Sequence, residues 1–281
     1  MAYSSTLGND SGHVGQGIGE LFAVSRIGDE RWRSCHVDPK GGRMYGGALA
    51  AQLLAAAGAT VQQGVQVSNV DLRFVRPADG GQPVDYRVED VYDGASSALR
   101  RVTAIQGGTT VAIGAAGFHT PREGWTHGVR QVPESPNTLP RTGTPHRSRA
   151  VTSDEFDIRF YDERDDQGLV RRLWFRSTNP PVGPTRYVDE CALLYVSDLY
   201  FFEPMCLEHG LAGDDRWLRY ATTQHSVWFH RPAKVDDWAV IESRSPALRG
   251  GRGLVVGDIY TAEGCPIATV VQEAVVWSVH N

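Results

Sequence analysis

Residues 221–232 read Ala-Thr-Thr-Gln-His-Ser-Val-Trp-Phe-His-Arg-Pro, and the fold turns on how this stretch is read. Its threonines, valine, tryptophan and phenylalanine favour an extended strand, and Pro232 closes it because proline cannot donate to a ladder. A second β-branched run follows at 268–279, Ala-Thr-Val-Val-Gln-Glu-Ala-Val-Val-Trp-Ser-Val, with one amide side chain inside it. Thr222 and Gln272 are uncharged hydrogen-bonding groups where packing residues are expected. The reading is that the two meet in space.

Working outward, the end of the first run has a counterpart upstream. Phe74-Val-Arg-Pro-Ala78 matches Phe229-His-Arg-Pro-Ala233 at an offset of 155. Ile105 matches Ile259 at 154, and Val111-Ala112 matches Ile267-Ala268 at 156. A near-constant offset across several strands signals duplication of one unit. In the first copy, Ala48-Leu-Ala-Ala-Gln-Leu-Leu-Ala-Ala-Ala57 is a strong helix former whose one polar residue is Gln52. It is expected to be buried on most sides. Leu21–Ile27 and a weaker piece near Trp32 precede it as strand candidates; Val65–Val75, Val84–Val91, Ser97–Gln106 and Thr109–Phe118 follow it. Asp93-Gly94 and Gly107-Gly108 supply turns. In the second copy Leu169–Phe175 is a strand, Pro180, Pro181 and Pro184 precede a helix over Tyr187–Phe202, and another meander follows. The fold class is α+β: two tandem units, each a central helix wrapped by an antiparallel sheet.

The copies differ where polar chemistry is concerned. At an offset of 155 Val67 stands opposite Thr222, and at 156 Ala116 stands opposite Gln272. A polar site therefore belongs to the second copy, with the first as scaffold and pocket wall. The second helix supplies a third member: Cys191, Leu194, Tyr195, Phe201 and Phe202 form an apolar stripe with Asp198 inside it. A carboxylate facing a core is costly unless hydrogen-bonded, so it has a partner or a job. A backbone or hydroxyl neighbour would by itself account for Asp198, and local bonding for Thr222. Gln272, set among valines, needs partners at both ends of its amide. Strand alternation groups Thr222 with Gln224, Ser226 and Trp228, opposite Thr223, His225, Val227 and Phe229.

Together Asp198, Thr222 and Gln272 suit hydrolysis. An ionised aspartate takes a proton from water, and a hydroxyl and an amide hold that water in one position. The sequence has no G-x-S-x-G elbow or evident Ser-His-Asp arrangement to supply a covalent nucleophile. His225 and His230, five apart on one strand, face opposite sides and do not cluster as metal ligands.

Composition narrows the class. The chain has 281 residues, 41% apolar and 22% charged, as in a soluble globular protein. A net charge of −5 gives no electrostatic case for nucleic-acid binding. Cys35, Cys191, Cys206 and Cys265 are scattered, which reads as reduced thiols in a cytoplasm. No apolar stretch approaches the ~18 residues of a membrane span. Residues 1–15 lack the basic and apolar regions of a signal peptide and read as a loose tail. Pro121, Pro133, Pro136, Pro140 and Pro145 mark 121–153 as a linker between units at 16–120 and 154–281. The acidic stretch Asp154–Asp166 reads as a solvated edge, and Arg171, Arg172 and Arg176 as a solvated strand.

Several stretches in order carry a resemblance: Met44-Tyr-Gly-Gly, Phe74-Val-Arg-Pro, Leu99-Arg-Arg-Val-Thr-Ala-Ile-Gln-Gly-Gly, Ser197-Asp-Leu, His225-Ser-Val-Trp-Phe-His-Arg-Pro, Val271-Gln-Glu and the terminal His280-Asn281. From about residue 16 to the end, the chain resembles the type II, TesB-like acyl-CoA thioesterases, which are double hotdog proteins. The resemblance implies hydrolysis of acyl-CoA to free acid and CoA without an acyl-enzyme, metal or redox cofactor. It implies that Asp198, Thr222 and Gln272 are the catalytic trio orienting the water. A homo-oligomer is expected, because hotdog sheets expose edges that pair. The chain departs from the family pattern at Ala48, Ser68, Asp71 and Gln224, which places a changed pocket lining among the expectations. Two other readings fit the fold: a non-catalytic acyl-CoA-binding protein, and an enoyl-CoA hydratase using an Asp/His pair drawn from His225 or His230.

Overall fold

The computed structural model describes residues 18–38, 41–132, 135–140, 155–179, 185–211, 218–232 and 234–278. The expected N-terminal tail, linker residues 141–153, Pro180, Pro181, Pro184 and His280-Asn281 lie outside the described residues. The strands are β1 (Val24–Gly28), β2 (Arg31–Ser34), β3 (Gln66–Phe74), β4 (Asp85–Asp93), β5 (Ser97–Gln106), β6 (Thr109–His119), β7 (Phe156–Asp165), β8 (Gly168–Ser177), β9 (Leu218–Phe229), β10 (Ala239–Arg249), β11 (Arg252–Thr261) and β12 (Pro266–Ser278). The helices are α1 (Ile18–Leu21), α2 (Gly46–Gly58), α3 (Val188–Ser197) and α4 (Glu203–Leu207).

Alternation builds the strands: in β4, Tyr86 and Val88 are buried while Arg87 and Glu89 are exposed. Among the described residues the strands form one antiparallel sheet, in the order β1-β2-β4-β5-β6-β3-β9-β12-β11-β10-β8-β7. Met from either edge, the order is the same six-strand sequence, so the duplication predicted from offsets is a two-fold arrangement. β3 and β9 join the halves at its centre. There Asp71 pairs with Ser226, two residues 155 apart, so the local two-fold passes between them. The repeat extends to irregularities. Ser68 is an extra residue in β3 against β6, and Thr223 an extra residue in β9 against β12, again 155 apart. Such a bulge leaves one residue unpaired and re-aims its neighbours.

α2 and α3 lie antiparallel in the core. Gly47 meets the Tyr195 carbonyl, the Cys191 thiol donates to the Ala51 carbonyl at 3.3 Å, and Gly58 meets the Tyr187 ring. Each helix follows a tyrosine, Tyr45 and Tyr187, 142 apart. Tyr45 Oη donates to the Tyr195 carbonyl (2.7 Å) and Tyr187 Oη to the Val65 carbonyl (3.0 Å). The helices thus repeat at a shorter offset than the strands, because α4 is inserted between helix and sheet in the second copy. Gln52, the polar residue of α2, is satisfied at both ends: its Nε2 donates to the Leu21 carbonyl (2.8 Å) and its Oε1 accepts from Tyr86 Oη (2.6 Å).

Three expectations are corrected. The helix predicted over Tyr187–Phe202 stops at Ser197; Tyr200 adopts a left-handed φ of +57°, which no right-handed helix tolerates. The acidic stretch is no mere solvated edge, and of the three arginines only Arg176 is exposed as expected. The stretch forms β7 beside β8, where the Arg171 guanidinium is bonded to Asp162 (2.7 Å) and Glu203, and Arg172 to Glu242 (3.0 Å) and Glu163. Arg171 is 3% exposed, so its charge is neutralised internally. The described part of the linker is docked on the sheet. Val132 and Leu139 pack against Trp174, Val240 and Tyr260, and Arg130 pairs with Asp258 at 3.0 Å.

Candidate active site

The bulge at Thr223 decides which side chains meet. A single extra residue shifts strand alternation by one. Across the ladder Thr222 pairs with Ala274, His225 with Gln272 and Val227 with Val270, and these partners share the core face. Unbroken alternation had grouped Thr222 with Gln224 and Ser226; the bulge places it with His225 and Val227 instead.

Asp198 is the C-terminal cap of α3, and the start of α2 points at it. The Gly47 N–H donates to its carboxylate, and Gln272 Nε2 donates to its Oδ1. The approach is close enough to require glycine at the helix start: a Cβ on Gly46 would lie 2.7 Å from Asp198 Oδ2. Burial pushes the Asp198 carboxyl up to about 7, although the bonds from Gln272 and Gly47 and the charge of Arg43 pull the other way. Desolvation wins because the ionised form loses more hydration than two donors return. Asp198 and Thr222 both line one cavity of about 710 Å³, with Gly46, Leu49, Phe74 and Phe202 among its walls. Arg43, Arg76 and Arg219 also border it. That volume is in the range of small-molecule sites.

Gln272 is 1% exposed and lies beside Asp198, behind the cavity wall and not among the residues that line it. Its Nε2 is 3.3 Å from His225 Nδ1 as well, and its Oε1 has no hydrogen-bond partner among the described residues. His225 Nε2 lies 3.0 Å from Ser197 Oγ. Burial lowers the His225 imidazole to about 4, so the ring is neutral near pH 7. Both its nitrogens are engaged and it does not line the cavity, which leaves it no free nitrogen for a hydratase's acid–base work. His230 is exposed and bonded to Thr269 at 2.9 Å. Sequence reasoning missed His225 as a neighbour of the amide and Ser197 behind it; the signal was a histidine sharing an apolar strand face with valine.

The corresponding corner of the first half is filled. Val67 and Ala116 are buried, and the Tyr187 ring packs there against Phe118 with centroids 5.6 Å apart. The expected change of pocket lining at Ala48, Ser68, Asp71 and Gln224 is also corrected, since none of the four lines the cavity. Asp71 and Gln224 are on the opposite sheet face, where Asp71 Oδ2 accepts from Gln224 Nε2 (2.8 Å) and Ser226 Oγ (2.6 Å). Ser68 is the bulge residue of β3. Among the described residues there is no group of three or more His, Cys, Asp or Glu placed to hold a metal, and no helix long and apolar enough to cross a membrane.

A family model described as the acyl-CoA thioesterase C-terminal domain matches residues 114–276, and one described as the N-terminal domain matches 34–119. The chain belongs to the acyl-CoA thioesterase family. Acyl-CoA thioesterase 2 of Haemophilus influenzae is 26% identical, across 91% of this chain and 95% of its own. Human acyl-coenzyme A thioesterase 8 is 26% identical, across 91% and 87%. Among solved structures, the acyl-CoA thioesterase II TesB2 of Mycobacterium marinum is 28% identical with a TM-score of 0.81, covering 94% of this chain and 99% of that one. The tesB protein of Mycobacterium avium subspecies paratuberculosis is 26% identical with a TM-score of 0.77, covering 92% and 98%. The thioesterase fold here is a double hotdog, as the mirrored strand order and paired helices require.

Proposed function

We propose that this thioester hydrolase cleaves acyl-CoA to a free acid and CoA by direct attack of water, with Asp198 as base and Thr222 and Gln272 holding that water. The observation that carries the reading is a buried aspartate, hydrogen-bonded to Gln272, on the wall of the cavity that Thr222 also lines. The water oxygen attacks the thioester carbon while Asp198 takes its proton; the C–S bond then breaks, and the proton passes to the departing CoA sulfur. The first-turn N–H groups of α2, apart from that of Gly47 which serves Asp198, have no intrahelical partners and carry the positive end of the helix dipole, which suits them to the carbonyl oxygen as it gains charge. Arg43, Arg76 and Arg219 at the cavity offer cations for the CoA phosphates. Four unpaired cysteines agree with a cytoplasmic enzyme, and the edge strands β1 and β7 with a homo-oligomer.

Free-thiol release from a ladder of short- to long-chain acyl-CoAs tests the reading, with Gln272→Ala run alongside. Release by the wild type and release slower by ~10-fold or more, yet measurable, in the variant is the expected result. A folded wild type that binds acyl-CoA but releases nothing would favour a binding protein. The pH profile is a separate check. Because the base must be ionised and burial pushes it up to about 7, kcat/KM is expected to climb with pH and level off above about 7. A profile already flat at about pH 5 would remove Asp198 as the base.

A further inference from the structure

The Gln272 amide bears two N–H groups and one carbonyl oxygen, and its chemistry depends on which end faces Asp198. From the geometry we infer that His225 and Ser197 are positioning residues that lock this amide with its nitrogen toward Asp198 and its oxygen presented to the attacking water. The inference rests on the thioesterase reading of Gln272.

Each link follows from donor and acceptor counts. Ser197 Oγ donates to the Leu194 carbonyl at 3.2 Å, which leaves its lone pairs to accept from a neighbour. His225 Nε2, 3.0 Å away, therefore carries the imidazole proton and donates it to Ser197 Oγ. In a neutral ring the other nitrogen must then be an acceptor. His225 Nδ1 accepts from Gln272 Nε2 at 3.3 Å, and the second N–H of that nitrogen goes to Asp198 Oδ1. Rotating the amide by half a turn would set its oxygen against both an imidazole lone pair and a carboxylate. Two acceptors thus fix the amide nitrogen, and Oε1 is left as a buried acceptor without a partner among the described residues. It is the group able to receive one O–H of a water whose other proton goes to Asp198.

Packing holds the relay still. The His225 ring stands edge-on to Phe201, with centroids 6.4 Å apart and planes at 89°. His225 is 1% exposed and Ser197 fully buried, so water does not compete for these bonds. Its strand neighbour across the central seam is Leu72, which is also buried.

The test compares two amides at one position. In His225→Asn the side-chain oxygen replaces Nδ1 and still accepts from Gln272, whereas in His225→Gln the amide reaches toward Ser197 and the Gln272 contact is lost. His225→Gln is expected to lower kcat by roughly tenfold or more with KM little changed, since misplacement of about 1 Å at a reacting group costs up to ~10²-fold. His225→Asn is expected to recover most of that loss. In a Gln272→Ala background the same His225→Gln change is expected to cost nothing further, because the group it positions is gone. Full kcat in His225→Gln, or an equal loss in both backgrounds, would overturn the proposal while leaving Gln272 catalytic. Normal thiol release by Gln272→Ala alone would instead remove Gln272 from the mechanism on which the proposal rests. Should the variants fold poorly, ¹⁵N-histidine NMR of the wild-type chain decides the matter, with the His225 signal assigned by through-bond correlation to its own backbone. The ring must be the Nε2–H tautomer, and an Nδ1–H signal would refute the relay.

Discussion

Asp198→Asn is expected to reduce thiol release by ~10²-fold or more and, at the same time, to raise the melting temperature. The loss of rate follows because an amide has no basic oxygen to take the proton. The gain in stability follows from the same burial. In the folded chain the carboxyl sits at about 7 against an ordinary value of 3.8, so the folded state holds a proton that the unfolded chain has released. Stability conferred by that proton is fully present below about pH 4 and is lost as the pH rises through about 7. Above that, the wild type carries an ionised buried carboxylate whose penalty is up to about 4 kcal/mol. Asparagine keeps one oxygen to accept from Gln272 or Gly47 and carries no charge. Thermal denaturation of both chains at about pH 8 and about pH 4 checks this, with the variant ahead at the higher pH and the gap closing at the lower. A variant less stable at both would show that the carboxylate is worth more to the fold than its burial costs.

The second large effect lies in the glycine pair at the start of α2. A Cβ at Gly47 would stand 2.6 Å from the Tyr195 carbonyl oxygen and 2.6 Å from Tyr45 Cε1. Neither can withdraw freely. Tyr45 Oη is bonded to that same carbonyl, and the two tyrosine rings are in edge contact at 4.9 Å. Gly47→Ala must therefore force α2 and α3 apart, and is expected to destabilise the chain by about 3 kcal/mol, the upper part of the range for overpacking a well-filled core. Gly46→Ala, one residue earlier, meets Asp198 Oδ2 and the Phe74 ring rather than backbone. It is expected to leave the melting temperature near the wild-type value while thiol release falls at least ~10-fold, as the carboxylate is pushed off its bond with Gln272. Melting curves and turnover measured on both variants separate the two effects. Similar losses of stability in both would show that the two glycines serve one purpose.

What could be read from the sequence, and what could not, divides along physical lines. Ser97–Gln106 is a strand residue for residue, because turn signals bound it at both ends. The duplication was legible because strand offsets survive wherever alternating burial is kept. Asp198 and Gln272 were legible as polar groups set among apolar ones, and the structure brings them into direct contact. The face of Thr222 was not. A bulge adds a residue without any change of composition, so alternation counted from sequence slips by one. The end of α3 was missed for a similar reason, since the left-handed Tyr200 is held by tertiary contacts, including the ring of Phe160 at 5.5 Å. The acidic stretch carried a signal that went unused. Asp162 and Glu163 precede Arg171 and Arg172 by nine residues about the turn before Gly168, and so meet across a hairpin.

The central β3–β9 seam has a consequence for how such a chain can change. Two identical subunits joined by a two-fold axis must carry every substitution twice, so each would bury its own carboxylate and its own unpaired amide oxygen. Joining both halves in one polypeptide breaks that constraint. Val67, Ala116 and Tyr187 fill the first corner with packing while Asp198, Thr222 and Gln272 occupy the second. The chain thus bears the instability of a buried charge once, and the silent corner stabilises the fold that the polar one strains.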